Sequence, residues 1–309
     1  RRALTPHSQT MDMAYSGCEI MQGTKMSDTK PVAELCSLEI DGAIARLTLR
    51  RSDVFNALNV QLISEMVEAL SWTAQRSVGA TQSLHDSDGA EYLRVIVLRG
   101  DGKHFCAGAD INMMRDAGAA TPEENRADSE RLDRLFYSLW AHPCFTVGAV
   151  QGVALGGGAG LVACVDHAIG EPRTRIALSE AKLGILPAVI GPYVYRKLGS
   201  AEFRRLSMLA SRVGSEEGLR IGWLNEVVDS PLDFDEAIGR VVADVMTTGP
   251  MAVAESKKLA MTFDTWNAGD DELRLWTLDK TSQMLSLIHI SEPTRPERIA
   301  DAGFCVKKK

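Results

Sequence analysis

The chain has 309 residues, of which 24% are charged and 45% hydrophobic, and its formal net charge at pH 7 is −7. This length allows one large domain or two small ones and is enough to bury a sizeable core. The acidic balance argues against a nucleic-acid partner, because such binding depends mainly on neutralising phosphates. No apolar run is long enough to span a membrane, so we expect no membrane partner either.

Both ends of the chain are expected to be foreign to the fold. The chain opens on Arg1, and patterned sequence begins only near Val32, so we expect residues 1–25 to be translated upstream DNA and Met26 to be the start. Residues Leu285 to Arg295 read LSLIHISEPTR, which matches the translation of a transposon-based sequencing adapter. We expect residues 285–309 to be read-through of that adapter, and both segments are left out of the fold prediction.

The first elements predicted from the retained sequence are a hairpin, a helix and a strand. Apolar and polar residues alternate on both sides of Asp41-Gly42, which predicts a β-hairpin over residues 36–49. Leu62, Met66, Val67 and Leu70 recur at helical spacing. The polar stretch 77–91 predicts a loop, and the run 93–98 predicts a strand.

The second half of the retained sequence continues the alternation of strands and helices. The predicted elements are a helix from Pro122 to near His142, a strand over 145–150, a short apolar helix from Gly156 to about Val165, strands over 168–170 and 175–178, and a mostly helical region over 190–284. Repeated strand-then-helix order predicts an α/β fold with parallel strands. We expect an α/β core over residues 26–210 and a truncated helical C-terminal part over 211–284.

Four cysteines lie in the retained sequence, at positions 36, 106, 144 and 164. They have no metal-ligand spacing, so we expect no metal site. Most lie in apolar runs, which is typical of small core residues. Reduced thiols fit a cytoplasmic protein.

Three stretches have the residues for chemistry. His104 to Asp110 reads HFCAGAD, and Gly152 to Gly158 reads GVALGGG. In each, small residues follow a predicted strand and bring backbone N–H groups to a turn that opens a helix, and two converging N–H groups form an oxyanion hole. In the third, residues 179–187, Glu180 follows a predicted strand. A carboxyl group held in an apolar pocket has a raised pKa and can exchange a proton at neutral pH.

These stretches, in this order, resemble the crotonase (enoyl-CoA hydratase/isomerase) superfamily over roughly residues 32–284. The resemblance implies a crotonase-like ββα spiral core with a C-terminal helical region. It also implies an acyl-CoA substrate, no cofactor beyond the coenzyme A of that substrate, and a homotrimer or hexamer. It assigns the oxyanion donors to the backbones of Ala107 and Gly157 and the acid/base role to Glu180. The further residues expected at the substrate are Ala109, Asp110, Gly156, Gly158, Arg115 and Met114.

The chain departs from the two-glutamate pattern of the hydratases, G-G-G-x-E, because it has Gly160 in the last position. Either Glu180 handles both proton movements, or the reaction needs one acid/base. Residues 185–198 read ILPAVIGPYVYRKL. The P-A-x-I-x-P-Y-V form within its first part, 185–194, together with G-G-G-x-G, resembles bacterial methylglutaconyl-CoA and isohexenylglutaconyl-CoA hydratases of leucine and acyclic-terpene catabolism. Their branched substrates bear a second carboxylate, for which Arg115 is the candidate partner. Met113, Met114, Tyr137 and Trp140 could line the acyl pocket or belong to the core.

Three functions follow as hypotheses. The first is a hydratase that adds water to a branched unsaturated acyl-CoA. The second is a Δ3,Δ2-enoyl-CoA isomerase, for which one carboxylate is enough. The third is a weakly catalytic acyl-CoA-binding or RNA-binding protein; the acidic charge argues against RNA, and the intact Glu180 and glycine motifs argue for catalysis.

Overall fold

The computed structural model describes residues 29–291, with side chains described through residue 286. The segment 1–25 and most of 285–309, both expected to be non-native, lie outside the described residues. Within the described range, no helix combines the length and the hydropathy that a membrane crossing requires.

Strands and helices alternate along the described chain. The strands are β1 (Cys36–Asp41), β2 (Ile44–Leu49), β3 (Val95–Gly100), β4 (Phe145–Val150), β5 (Val153–Leu155), β6 (His167–Gly170), β7 (Arg175–Ala177), β8 (Val213–Gly214) and β9 (Glu226–Val227). The helices are α1 (Val60–Gln75), α2 (Val78–Thr81), α3 (Ile111–Ala117), α4 (Pro122–Trp140), α5 (Gly157–Cys164), α6 (Gly191–Leu209), α7 (Ser215–Ile221), α8 (Phe234–Thr247), α9 (Pro250–Thr265) and α10 (Asp270–Ser291). Single 3₁₀ turns lie at Ser52–Val54, Glu180–Leu183 and Pro231–Asp233.

Two sheets organise these elements, with the strand orders β1-β2-β3-β4-β6-β9 and β5-β7-β8. β1 and β2 form the predicted antiparallel hairpin. From β2 to β9, neighbouring strands of the larger sheet are parallel. The predicted α/β class with parallel strands is therefore confirmed. Because β2, β3 and β4 run in the same direction, the loops that follow them leave the sheet at one edge.

Helices cover both faces of the larger sheet. Ile96 and Leu98 of β3 pack in a core with α1 and α4, while Val95 and Val97 pack in a second core with α8. This explains why β3 has a continuous apolar run rather than an alternating pattern. The three cysteines expected in the core, Cys106, Cys144 and Cys164, are buried, as is Cys36, and none of the four forms a disulfide within the described residues.

Three details differ from or extend the sequence prediction. The polar stretch 77–91 contains the one-turn helix α2, because the Ser77 hydroxyl accepts the Ala80 N–H at 3.1 Å and Val78 is buried. Strands β8 and β9 pair with β7 and β6, so sheet strands continue beyond residue 210. Helix α10 runs through Met284 without a break. The boundaries at 210 and 284 stay predictions.

Candidate active site

The loop after β3 and the start of α5 lie against each other at the edge where the parallel strands end. The Cys106 N–H donates to Val153 O at 3.1 Å, and the Leu155 N–H donates to Cys106 O at 3.0 Å. A Cβ atom on Gly158 would collide with the Cys106 carbonyl. Glycine at this position therefore allows the first turn of α5 to touch the backbone of the other motif.

Gly108 and Gly157 bring the two motifs into contact. Gly108 has φ of +92°, which favours glycine, and a Cβ there would lie 2.6 Å from Leu155 O and 3.5 Å from Gly157 N. A Cβ on Gly157 would in turn lie 3.9 Å from Gly108 Cα. The two glycine motifs predicted to converge are thus adjacent in space.

The orientation of the N–H groups corrects one assignment. The Ala107 N–H donates to Phe55 O at 2.9 Å, so it is not available as an oxyanion donor in this structure. Leu58 forms a parallel bridge to Ala109, in which it donates to Gly108 O at 2.7 Å and accepts from the Asp110 N–H at 2.9 Å. This pattern turns the Ala109 N–H away from Leu58. Within residues 29–291, neither Ala109 nor Gly157 has an acceptor for its N–H.

Glu180 lies beside the start of α5. The Gly156 N–H donates to Ala177 O at 2.9 Å, which ties the start of α5 to the strand that leads to Glu180. A Cβ on Gly156 would lie 3.2 Å from Glu180 Oε1, so the carboxyl group rests over the residue next to Gly157. Glu180 Oε2 is buried with no hydrogen-bond partner in the described chain. Burial raises the pKa of Glu180 above its ordinary value, against a smaller lowering by its own backbone N–H.

The position of the missing second glutamate is filled by neighbouring side chains. A Cβ on Gly160 would lie 2.9 Å from Phe136 Cε1 and 3.0 Å from Ile190 Cβ, and closer still to Ile190 Cγ2. Ile190 and Phe136 are both buried. Because Ile190 belongs to the unusual segment 185–194, the two departures from the hydratase pattern are in direct contact.

The remaining predicted residues are placed less centrally. The Asp110 carboxylate accepts the Asn112 N–H at 2.9 Å and pairs with Arg51 at 3.0 Å. Burial would raise the pKa of Asp110, but these hydrogen bonds and the Arg51 charge outweigh burial and lower it. The contacts of Asp110 therefore hold the start of α3. Arg115 is exposed on α3 and Met114 is half-buried, and their substrate contacts stay predictions.

The aromatic residues considered for the acyl pocket form one cluster. The ring centroids of Tyr137 and Trp140 are 6.2 Å apart, and those of Trp140 and Tyr193 are 5.7 Å apart. Phe136 lies 6.2 Å from Tyr193 and also contacts the Gly160 position. The cluster thus reaches the first turns of α5 from the side of α4 and α6.

The loop after β2 also contributes to this site, although no motif in the sequence marks it. Phe55 and Asn56 both have φ of +56°, in the left-handed region, and the Asn56 side chain is fully buried. The signal available in the sequence was the position of this loop directly after a strand, because the other two motifs also follow parallel strands.

Comparison with known proteins agrees with this geometry. Residues 39–275 match the family model of the enoyl-CoA hydratases/isomerases. A crotonyl-CoA hydratase of Syntrophomonas wolfei is 30% identical over 224 residues, which are 72% of this chain and 80% of the relative. A short-chain-enoyl-CoA hydratase of Clostridium acetobutylicum is 30% identical over 222 residues, 72% of this chain and 78% of the relative.

A solved structure is similar to this chain in its fold as well as in its sequence. The crystal structure of an enoyl-CoA hydratase from Shewanella pealeana superposes with a TM-score of 0.73 at 31% identity, covering 87% of this chain and 94% of that one. The fold is therefore that of the crotonases, with a helical C-terminal region. With its glycine motifs in contact and a buried carboxyl group beside them, the chain belongs to the enoyl-CoA hydratase/isomerase family.

Proposed function

We propose that this chain is a hydratase that adds water to the α,β double bond of a branched unsaturated acyl-CoA. The Glu180 carboxyl is its single acid/base, and the N–H groups of Ala109 and Gly157 form its oxyanion hole. The observation that carries the proposal is the position of the buried Glu180 carboxyl over Gly156, one residue from the Gly157 N–H.

The chemistry follows from this arrangement. The thioester oxygen accepts the two N–H groups, which stabilise the enolate charge that develops when oxygen attacks Cβ; losing one such donor typically costs about 3–4 kcal/mol. The Glu180 carboxylate takes a proton from the attacking water, and the hydroxyl joins Cβ. The same carboxyl group then delivers that proton to Cα. One carboxyl group on one face of the double bond leads to syn addition.

The proposal also specifies the acyl group of the substrate as branched. It is supported by the segment 185–194, in which Ile190 packs on Gly160 and keeps a second carboxyl group out of the site. We propose that Arg115 pairs with a distal carboxylate of a methylglutaconyl-like acyl group and that Met114 contacts its chain. Asp110, Gly156 and Gly158 shape the backbone around the thioester.

A second function, Δ3,Δ2-enoyl-CoA isomerisation, is favoured by one observation. The Gly160 position has no room for a side chain, and isomerisation needs only one group to move a proton between C2 and C4. Glu180 performs this transfer from the same place. No water takes part, so the two reactions are separable by product.

One assay tests both functions. The purified chain is given crotonyl-CoA, 3-methylglutaconyl-CoA and 3-hexenoyl-CoA, with loss of the 2-enoyl absorbance measured for the first two and its appearance for the third. We expect the highest kcat/KM for 3-methylglutaconyl-CoA. Turnover of 3-hexenoyl-CoA alone would establish the isomerase. Binding of all three without turnover would refute both catalytic proposals.

We also propose that the chain forms a homotrimer or hexamer. Directly after Glu180, the side chains of Leu183, Ile185 and Leu186 are exposed, and so are Met208 and Leu209 at the end of α6. The first three lie in one short stretch of chain, and contiguous exposed apolar patches are typical of association surfaces. Light scattering after gel filtration measures the mass, and a monomer at micromolar concentration would contradict the proposal.

A further inference from the structure

The Asn56 carboxamide connects the two loops that leave the sheet after β2 and β3. Its Oδ1 accepts the Arg51 N–H at 2.9 Å, and its Nδ2 donates to Asp101 O at 2.9 Å and to His104 O at 2.8 Å. The side chain is fully buried, so these bonds have no competition from water. Both a donor and an acceptor are needed at this position, which asparagine supplies and leucine or aspartate does not.

The loop that Asn56 anchors orients the backbone of the oxyanion motif. Phe55 O accepts the Ala107 N–H, and two residues after Asn56 the Leu58 backbone brackets Ala109 through Gly108 and Asp110. Arg51 adds a second tie, because its guanidinium donates to Ala57 O and pairs with Asp110 at 3.0 Å. The direction of the Ala109 N–H is therefore set by residues 51–58 rather than by the motif itself.

The backbone of this loop needs a stabilising partner. Phe55 and Asn56 are consecutive residues with φ of +56°, a conformation that costs L-residues free energy and persists only when the surroundings enforce it. The three Asn56 side-chain bonds supply that enforcement. No substrate atom needs to touch Asn56 for it to affect the reaction.

We infer that Asn56 is a positioning residue for the oxyanion hole: it holds the loop 51–58 against the loop 101–110 and thereby aims the Ala109 N–H at the thioester oxygen. The inference rests on the proposed function and goes beyond it, because it assigns a role to a residue that lies outside the two glycine motifs and the segment of Glu180.

The test compares Asn56→Gly with Asn59→Ala. Glycine tolerates the left-handed backbone and removes all three bonds. Asn59 is a matched control three residues away, because its side chain caps α1 by accepting the Leu62 N–H at 2.8 Å and, within the described residues, has no hydrogen bond to either loop. Its loss costs about 1 kcal/mol of stability. For Asn56→Gly we expect kcat to fall by about 10²-fold, with KM changed less than threefold. For Asn59→Ala we expect kcat unchanged.

A spectroscopic measurement reads the oxyanion hole directly. Butyryl-CoA labelled with ¹³C at the thioester carbonyl has no double bond to hydrate, and its carbonyl stretch moves to lower frequency when N–H groups donate to it. We expect difference infrared spectra to display this shift in the wild type and in Asn59→Ala, and to lose at least half of it in Asn56→Gly. Asn56→Asp, which has the same size and no donor, serves if the glycine variant does not fold.

The outcomes separate the inference from the proposed function. No shift in the wild type would overturn the oxyanion hole itself. A full shift and an unchanged kcat in the Asn56 variant, with only a lower melting temperature, would overturn the positioning role and leave the proposed function standing.

Discussion

The contact between Gly160 and Ile190 leads to a prediction in which the effect of one substitution on stability depends on the other residue. In Gly160→Ala, the new methyl group would lie 2.9 Å from Phe136 Cε1 and 3.0 Å from Ile190 Cβ, and closer to Ile190 Cγ2. Carbon atoms in favourable contact are about 3.5–4.0 Å apart. The neighbours must therefore move by about half an ångström or more, or the helix must shift.

The magnitude follows from two opposing effects. Overpacking of a buried site costs about 1–3 kcal/mol, whereas alanine is favoured over glycine inside a helix by about 1 kcal/mol. We expect Gly160→Ala to lower the free energy of unfolding by about 1 kcal/mol, which is a fall in Tm of about 2–4 °C for a chain of this size. Ile190→Ala alone leaves a cavity at a site that is 4% exposed and costs about 2–5 kcal/mol.

In the Ile190→Ala background, the same Gly160→Ala change should lower Tm less than it does in the wild type. The nearest atom, Ile190 Cγ2, is gone, whereas Phe136 Cε1 at 2.9 Å and the Cβ at position 190 at 3.0 Å remain and have the cavity to move into. We expect a coupling free energy of about 0.5–1 kcal/mol between the two positions, measured by chemical or thermal unfolding of the four proteins. Additive effects within about 0.5 kcal/mol would refute the reasoning that Ile190 excludes a side chain at position 160.

Three further predictions concern the site and the end of the chain. Glu180→Gln should lower kcat by about 10²–10⁴-fold. Because burial raises the pKa of Glu180, the wild type loses stability as pH rises from 4.5 through the folded-state pKa. The Tm of Glu180→Gln should therefore exceed that of the wild type at pH 8 and equal it at pH 4, and equal Tm values at both pH values would contradict the burial of Glu180. Gly157→Pro should lower kcat by about 10²–10³-fold, because proline fits the first position of a helix but has no N–H. Gly157→Ala, which adds a Cβ and retains the N–H, is the control. An equal fall in kcat in both variants would mean that packing against Leu58, and not the N–H, is responsible. A stop after Met284 should leave kcat unchanged and Tm unchanged or higher, because Leu285 and Ser286 are exposed; a fall of many degrees would mean that residues 285–309 stabilise the fold.

The sequence by itself predicted those parts of the molecule that depend on local patterns. The hairpin around Asp41-Gly42 and the helix α1 follow from hydrophobic spacing, and the ends of the β-strands before both glycine motifs follow from turn residues. The glycines in these motifs and Glu180 after a strand were recognised as candidate chemistry because they occur together and in this order. The family was recognised from the same residues.

Only the tertiary structure decided which N–H groups are available. Along HFCAGAD, alternate backbone groups point to opposite sides, and the sequence does not say which side is already bonded. Phe55 O takes the Ala107 N–H, and the bridge to Leu58 turns the Ala109 N–H to the side away from Leu58. These partners lie about fifty residues earlier in the chain, and no local pattern connects them to the motif.

The structure alone likewise decided the roles of residues whose contacts are distant in the sequence. Gly160 reads in the sequence as the loss of a glutamate, whereas in the fold it is the place into which Ile190 packs. Asn56 reads as an ordinary loop residue, whereas burial and its three hydrogen bonds make it the link between two loops. The physical reason is the same in each case: spacing along the chain determines which elements form, but which atoms occupy one volume depends on how parallel strands align distant loops at one edge of the sheet.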